Sequence, residues 1–289
     1  MNQSLKGITD IHIHVQPWDQ LRPEVKEIVC RGRKDAVFIE GVIADPHLLI
    51  SEMDRLGVQR VGLMNFASSV IGSGEEINDW TVNYIRGYES RLVAFGCPDL
   101  QNCRDIGRRI RDLADRGLRG LKIHPPHQGM APNAYLEEPG HPLAVLYETA
   151  QHLKLPVAFH TGTSSFPGAR SRLGHPMLID DVAIDFPELT ILLAHSGRPL
   201  WYDEAVFLAR RHSHLYLDLS SIPARRIPEI LPRLEMIADK VLYGSDWPGP
   251  GVPSLQECLT DFIELDIPLE VKTKILIENG NRLLGEPFI

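Results

Sequence analysis

Short runs of apolar and β-branched residues alternate along the chain with longer segments whose apolar positions recur at helical spacing. This is the pattern of repeated strand–helix units around a parallel sheet. Eight runs read as strands: Gly7 to His14, Arg60 to Asn65, Leu92 to Cys97, Gly120 to His124, Pro156 to His160, Thr190 to His195, Leu215 to Leu219 and Lys240 to Asp246. Between them the spacing predicts helices over Pro46–Leu56, Glu75–Ser90, Asn102–Arg116, His141–Lys154, Leu178–Phe186, Trp201–His212 and Ile227–Ala238. Asp45 before Pro46 is an N-cap followed by proline at the first helical position, and Gly57 and Gly117 stand where helices close. Eight strands each followed by a helix are the arithmetic of a (β/α)8 TIM barrel of about 250 residues. With 289 residues the chain is expected to form one such domain, 1–289, with a modest surplus.

The surplus falls into three segments, Gln16–Ala44, His124–Gly140 and Thr161–Pro176, which follow strands one, four and five. In a parallel barrel these are long βα loops on the face where such enzymes build their sites, so they predict a lid or a specificity wall.

Composition narrows the partners. The chain is 43% hydrophobic and 24% charged, and 30 Lys and Arg against 38 Asp and Glu leave a net charge of −8. That balance does not suit a protein that grips phosphate backbones, so a small-molecule substrate is expected and nucleic acid is not. No stretch reaches the roughly 18 apolar residues of a membrane span, and Met1 to Asp10 lacks the pattern of a signal peptide. A soluble cytoplasmic protein, free of membrane and compatible with homo-oligomer formation, is the expectation. Four scattered cysteines, Cys30, Cys97, Cys103 and Cys258, form no C-x-x-C pair and read as reduced.

The 12 histidines carry more information, because several end apolar runs. His12, His14, Asn65, Lys122, His124, His160, His195, Asp218 and Asp246 all close predicted strands, and a parallel barrel gathers its strand ends on one rim. A single histidine there is readily a hydrogen-bonded core residue; several at corresponding ends point to a site. In Asp10-Ile-His12-Ile-His14 the two-residue period of a strand places both imidazoles on one side, at a pitch suited to one cation. With His160 and Asp246 the set becomes three imidazoles and a carboxylate, which suits Zn²⁺ and tolerates Mn²⁺, Fe²⁺ or Co²⁺. Such an ion brings the pKa of its water to about 7. His195 is then placed as acid, base or electrostatic clamp.

The D-I-H-I-H start, K-I-H-P at Lys122 to Pro125, F-H-T-G at Phe159 to Gly162, A-H-S-G at Ala194 to Gly197, G-S-D-W-P at Gly244 to Pro248 and E-N-G-N-R-L-L-G at Glu278 to Gly285 together resemble the amidohydrolase superfamily. The chain is similar to the amidohydrolase-related branch that includes aminocarboxymuconate-semialdehyde decarboxylase-like enzymes. The resemblance implies a barrel with a divalent metal at its mouth. It implies His12, His14 and His160 as ligands and Asp246 as a ligand or as the base for water. It makes His195 a catalytic residue in a mononuclear site, or a ligand of a second metal in a binuclear one. Lys122 stands where binuclear members carry a carboxylated bridging lysine, and mononuclear relatives share K-x-H-P; one metal per chain is the expectation.

Arg170, Arg172 and Arg198 are candidates to hold a substrate carboxylate by bidentate contacts, and solvation at the surface accounts for them equally. His124 is a further candidate substrate contact. Trp247 either walls the pocket or packs structurally at the rim. His127, His141 and His175 are expected in surface or capping roles, Asp10 in a structural one, and Gly280 as a helix stop in a barrel-closing segment. The reading is a metal-dependent hydrolase acting on a small ester, lactone or amide, with Asp246 and His195 handling protons. The alternatives are non-oxidative decarboxylation of a small unsaturated or aromatic acid, and a catalytically silent metal- or ligand-binding barrel.

Overall fold

The computed structural model describes residues 5–284. Met1 to Ser4 and Gly285 to Ile289, the ends of the expected domain, lie outside the described residues. Eight parallel strands neighbour one another in chain order: β1 (Ile8–Ile13), β2 (Val58–Met64), β3 (Leu92–Gly96), β4 (Leu118–Ile123), β5 (Val157–His160), β6 (Ile191–Ala194), β7 (Leu215–Asp218) and β8 (Val241–Leu242). The residues after β8 close the ring on β1. The Tyr243 carbonyl accepts from the Ile11 amide at 2.9 Å, and the Asp246 amide donates to the His12 carbonyl at 2.8 Å. The fold is a TIM barrel, with the strands where the apolar runs predict them.

Inside the ring, Ile11, Met64, Val93, Phe95, Ala158, Leu192 and Leu242 pack as one apolar cluster, and the outward residues of the strands pack against the helices in a second. Layers of this kind make the interior a core rather than a pore. β1 departs from regular alternation. Asp10 pairs with Val61 and Ile13 with Leu63, so β1 carries one residue more than β2 over this stretch. The irregularity lets Ile11 join the interior cluster while His12, the next residue, reaches the site, a typical use of a bulge near functional groups.

Helices Pro46–Leu56, Glu76–Tyr84, Ile106–Asp115, Pro142–His152, Asp180–Asp185 and Tyr202–Arg211 cover the barrel as predicted, several of them shorter. The predicted helix over 227–238 is broken into Ile227–Ile230 and Leu234–Ile237. Pro232 lacks an amide proton and disfavours helical geometry in the preceding residue, and Leu231 sits at φ −120°, ψ 66°. The segment Gln16–Ala44, expected as loop, holds two short helices, Pro23–Cys30 and Ala36–Ala44. Each spans about two turns, too few for the sequence to display a period, and each buries one apolar side: Val25 and Val29, then Ile39 and Val42. Gly280 is not a helix stop. It lies inside the helix Asn279–Leu284, where a Cβ would come within 2.7 Å of the Thr9 side chain, so its role is close packing of the closing helix on β1. No helix among the described residues is long and apolar enough to cross a membrane.

Candidate active site

The rim after β6, β7 and β8 is built from backbone that L-residues rarely adopt. His195, Ser196, Ser221 and Asp246 have φ of 66°, 48°, 59° and 67°. Such conformations cost about 1–3 kcal/mol each and persist only where the surroundings impose them. At Asp246 the imposing contacts are its amide bond to β1 and a tight turn in which the Gly249 amide donates to the Asp246 carbonyl at 2.6 Å. Gly244 allows the approach, since a Cβ there would meet Asp218 Oδ1 at 2.5 Å and the Cβ of His12 at 2.9 Å.

His12, His14 and Asp246 converge as the sequence predicts. His12 Nε2 lies 3.1 Å from His14 Nε2 and 3.4 Å from Asp246 Oδ1, and His14 Nε2 lies 3.3 Å from the same oxygen. His195 joins from β6, with a ligand atom each of His12, His195 and Asp246 within 4.8 Å of one another. His12 Nδ1–H donates to Asp218 Oδ2 at 2.6 Å, and His195 Nδ1–H donates to the Ser220 carbonyl at 3.1 Å. These tautomers follow from the partners, since a carboxylate and a carbonyl only accept. Both rings therefore turn an Nε2 lone pair toward the site, and a carboxylate behind a ligating histidine is the usual support of a metal ligand. The Ser220 hydroxyl oxygen lies between the rings, 3.0 Å from His12 Nδ1 and 2.9 Å from His195 Nδ1.

The donor set passes the chemical test for a divalent cation. Burial pushes His12 and His195 well below the usual imidazole range, with the Lys122 charge adding to the effect at His12 and the Arg198 charge at His195. Burial alone would raise Asp246, but the His14 hydrogen bond, the flanking His12 and His14 rings and the Arg198 charge carry its carboxyl below the ordinary carboxylate range. Two neutral nitrogen donors and an anionic oxygen within a few ångströms suit zinc and its first-row neighbours. Asp10 does not join them. It ties β1 to the segment after β8 by accepting from the His12 and Ser245 amides at 3.0 Å each, and burial pushes its pKa up to about 7.

His160 stands beside this set rather than within it. Its ring stacks on His124 with centroids 3.7 Å apart, meets His195 edge-on at 4.6 Å, and its Nε2–H donates to the Thr163 carbonyl at 3.3 Å. β5 ends at His160, so the direction of its ring is set by the turn that follows, which strand spacing does not reveal. Lys122 is fully buried, with Nζ 3.3 Å from His12 Nε2. Burial lowers its pKa to about 8, against the opposing charges of Asp218 and Asp246. Asp218 is raised to about 7 by burial, against its Ser220 hydrogen bonds and the Lys122 charge.

A cavity of about 170 Å³ opens over these groups. For scale, a dry cavity of about 150 Å³ accommodates benzene. Trp18, Val25 and Val29 of the insertion after β1 form one wall, and Phe66, His124 and His127 line another. Thr163 to Phe166 and Pro248 to Pro250 complete the rim, so the predicted wall of long loops is present. Arg198 reaches the cavity, its guanidinium 4.0 Å from Asp246 Oδ2, and its buried Nε has no hydrogen-bond partner among the described residues. Arg170 and Arg172 do not line it; both are exposed, Arg170 just before and Arg172 within the short helical turn Ser171–Gly174. Trp247 does not line it either. Its indole is buried, packs near Phe38 and donates from Nε1 to Asp35 Oδ2 at 2.9 Å, leaving no face toward the cavity.

His141 and His175 cap the turns that follow them by accepting from the Leu143 and Met177 amides, as expected. His127 is the exception. It is buried, stacks on His124 at 3.5 Å, faces Ser164 Oγ at 2.8 Å and lines the cavity. The signal was the H-P-P-H spacing of 124–127, one turn apart, with prolines that start the short helix Pro125–Gln128. Burial holds His127 down at about 3. Between that value and the ordinary 6.5, the unfolded chain binds the proton and the folded one does not, so stability falls as pH is lowered through this window. At about one and a half pH units below the ordinary value, this imidazole alone costs about 2 kcal/mol. His127→Gln should therefore show a smaller loss of stability between pH 7 and pH 5 than the parent by about that amount, read by urea denaturation at the two pH values. An unchanged loss would contradict a neutral buried His127.

The sequence model of a family described as Amidohydrolase matches residues 9–285. No curated protein matches. Among solved structures, an uncharacterised TIM-barrel protein from Bordetella bronchiseptica is 24% identical, with 97% of this chain and 99% of that chain covered and a TM-score of 0.77. A 5-carboxyvanillate decarboxylase from Sphingomonas paucimobilis is 17% identical over 98% of this chain and 100% of that chain, with a TM-score of 0.63. A dihydroxybenzoic acid decarboxylase from Polaromonas sp. JS666, with bound manganese and the inhibitor 2-nitroresorcinol, is 17% identical over 97% of each chain, with a TM-score of 0.67.

Proposed function

The chain belongs to the amidohydrolase family, and from that premise we infer that it is a metal-dependent enzyme acting on a compact, carboxylate-bearing molecule of about one ring. The observation that carries the substrate class is the unpartnered, buried Nε of Arg198 at the cavity edge, with Lys122 as a second cation on the cavity floor. A buried guanidinium nitrogen without an acceptor is costly, and a substrate carboxylate supplies the acceptor. His12, His14 and Asp246 would hold one divalent ion, with His195 at hand to complete the set. When bound, that ion supplies Lewis-acid polarisation of substrate oxygens. Zinc or manganese suits these donors.

The reading we favour is release of the carboxylate as carbon dioxide. The C–C bond breaks, its electron pair stays on the ring or alkene carbon, and that carbon takes up a proton. The chain's part is to orient the carboxylate between Arg198 and Lys122, to keep water out with Trp18, Val25 and Val29, and to deliver the proton. The buried Lys122 ammonium, with its pKa near 8, is a proton donor matched to neutral pH. The decarboxylase activities of two relatives agree in kind. Hydrolysis of a small lactone, ester or amide is the second reading, favoured by the lone pair that His195 turns to the site, an acceptor placed for a proton from water. Incubating the metal-loaded protein with unsaturated and hydroxylated ring carboxylates, and in parallel with carboxylated lactones, separates them. The favoured reading predicts carbon dioxide release from the first group; acid release from lactones alone would replace it with hydrolysis.

A further inference from the structure

Arg33 does not line the cavity, yet its guanidinium makes five hydrogen bonds beside it. Its Nη1 donates to the carbonyls of Pro248, Gly249 and Val252 at 3.2, 3.1 and 3.2 Å. Its Nε and Nη2 grip the two oxygens of Asp35 at 3.0 and 3.2 Å. The side chain is 4% exposed. Asp35 Oδ2 also accepts from the indole of Trp247, the residue after Asp246.

These contacts join two segments that have no regular ladder between them. One is the insertion after β1, whose Val25 and Val29 wall the cavity; the other is the loop after β8, which carries Asp246 in its left-handed conformation. Beyond the turn at Gly249 and the bond from the Val252 amide to the Gly249 carbonyl, the loop's carbonyls at 248, 249 and 252 are gathered by this one guanidinium. Only a planar fork can serve a carboxylate and three carbonyls at once; a lysine ammonium offers a single compact charge.

We propose that Arg33 is a positioning residue for Asp246, tying the insertion after β1 to the loop after β8 so that the carboxylate and the apolar wall are set as one unit. The consequence for metal binding rests on Asp246 being a ligand, as argued above. The mechanical part does not.

The experiment uses the full chain and two readouts. Hydrogen exchange is compared for the parent, Arg33→Lys and Arg33→Met, and Zn²⁺ affinity is measured by chelator competition for the parent, Arg33→Met, Asp246→Asn and the double variant. In both Arg33 variants, amides of 23–30 and 246–253 are expected to exchange faster together, by about tenfold, while β4, β5 and β6 keep their protection. Zn²⁺ affinity is expected to fall about tenfold or more in Arg33→Met, the scale of losing an outer support of a metal ligand, and to fall no further when Arg33→Met is added to Asp246→Asn. A merely structural arginine would cost the same factor in both backgrounds, and that result would overturn the proposal. Unchanged exchange in either segment would also overturn it. Should Arg33→Met fail to fold, Asp35→Asn weakens the same fork with little change of shape, and the two segments must again loosen together. A parent protein that binds no Zn²⁺ would sink the metal reading by itself, and the exchange comparison would still decide the clamp.

Discussion

His14→Ala is expected to empty the metal site while leaving the barrel folded. His14 is one of three donors within 3.4 Å of one another, and the polar contacts of its side chain among the described residues are to the other two, His12 and Asp246. Changing an outer support of a ligand costs about 10- to 100-fold in metal affinity, so deleting a ligand should cost more than about 100-fold. Metal content of the purified variant should drop from about one ion per chain to a small fraction. The fold should survive because His14 lies past the end of β1, with 19% of its side chain exposed, and takes no part in the apolar cluster inside the ring. His12→Ala should also lose the ion, but it strands the buried Asp218 carboxylate, so its stability will fall as well. Elemental analysis and a melting curve on the metal-free forms check both statements. A His14→Ala protein with full metal content would contradict the assignment of this donor.

Lys122→Met should lower turnover on the true substrate by about two to four orders of magnitude, the range for removing a positioned acid or base. Metal should remain bound, since the methionine takes a cation away from His12 Nε2 rather than a ligand from the set. The pH profile carries the sharper test. Burial places the Lys122 ammonium near 8, so a reaction that draws its proton from there should slow as pH rises through that value, and the residual activity of the variant should lack this limb. Arg198→Met should act differently. It removes a carboxylate contact made in both ground and transition states, so KM should rise more than kcat falls. Full activity in Lys122→Met with normal metal content would return the lysine to a structural role and leave hydrolysis, with His195 as base, the better reading.

The strands were legible because apolar, β-branched runs with polar ends survive as a local signal, and barrel topology brings the ends of β1 and β8 together; the irregularity in β1 that turns His12 toward the site has no local signal. Other contacts depend on how chain ends and loops meet. Asp218 closes β7 as predicted, but its support of His12 appears only when β7 is brought against β1 by closure through β8. The Ser220 hydroxyl between His12 and His195 has the same origin. Arg170, Arg172 and Arg198 look alike in sequence; in the fold the first two are exposed in the loop after β5 and the third, after β6, lines the cavity. Trp247 could wall a pocket or pack behind it, and the insertion carrying Asp35 and Phe38 decides for packing. The insertion was visible by its length, but its two helices were hidden because they are too short to show a period. His127 was readable in principle, as the partner of His124 across one turn after two prolines.

The proposed chemistry depends on one divalent ion held by His12, His14 and Asp246 beneath a cavity for a carboxylate. The most direct test is an anomalous-scattering map, recorded at the metal edge, from crystals of the metal-loaded protein. One peak is predicted, at roughly 2.0–2.2 Å from His12 Nε2, His14 Nε2 and an Asp246 oxygen. A peak away from these atoms, or a second ion bridged to the first through extra density on Lys122, would contradict it.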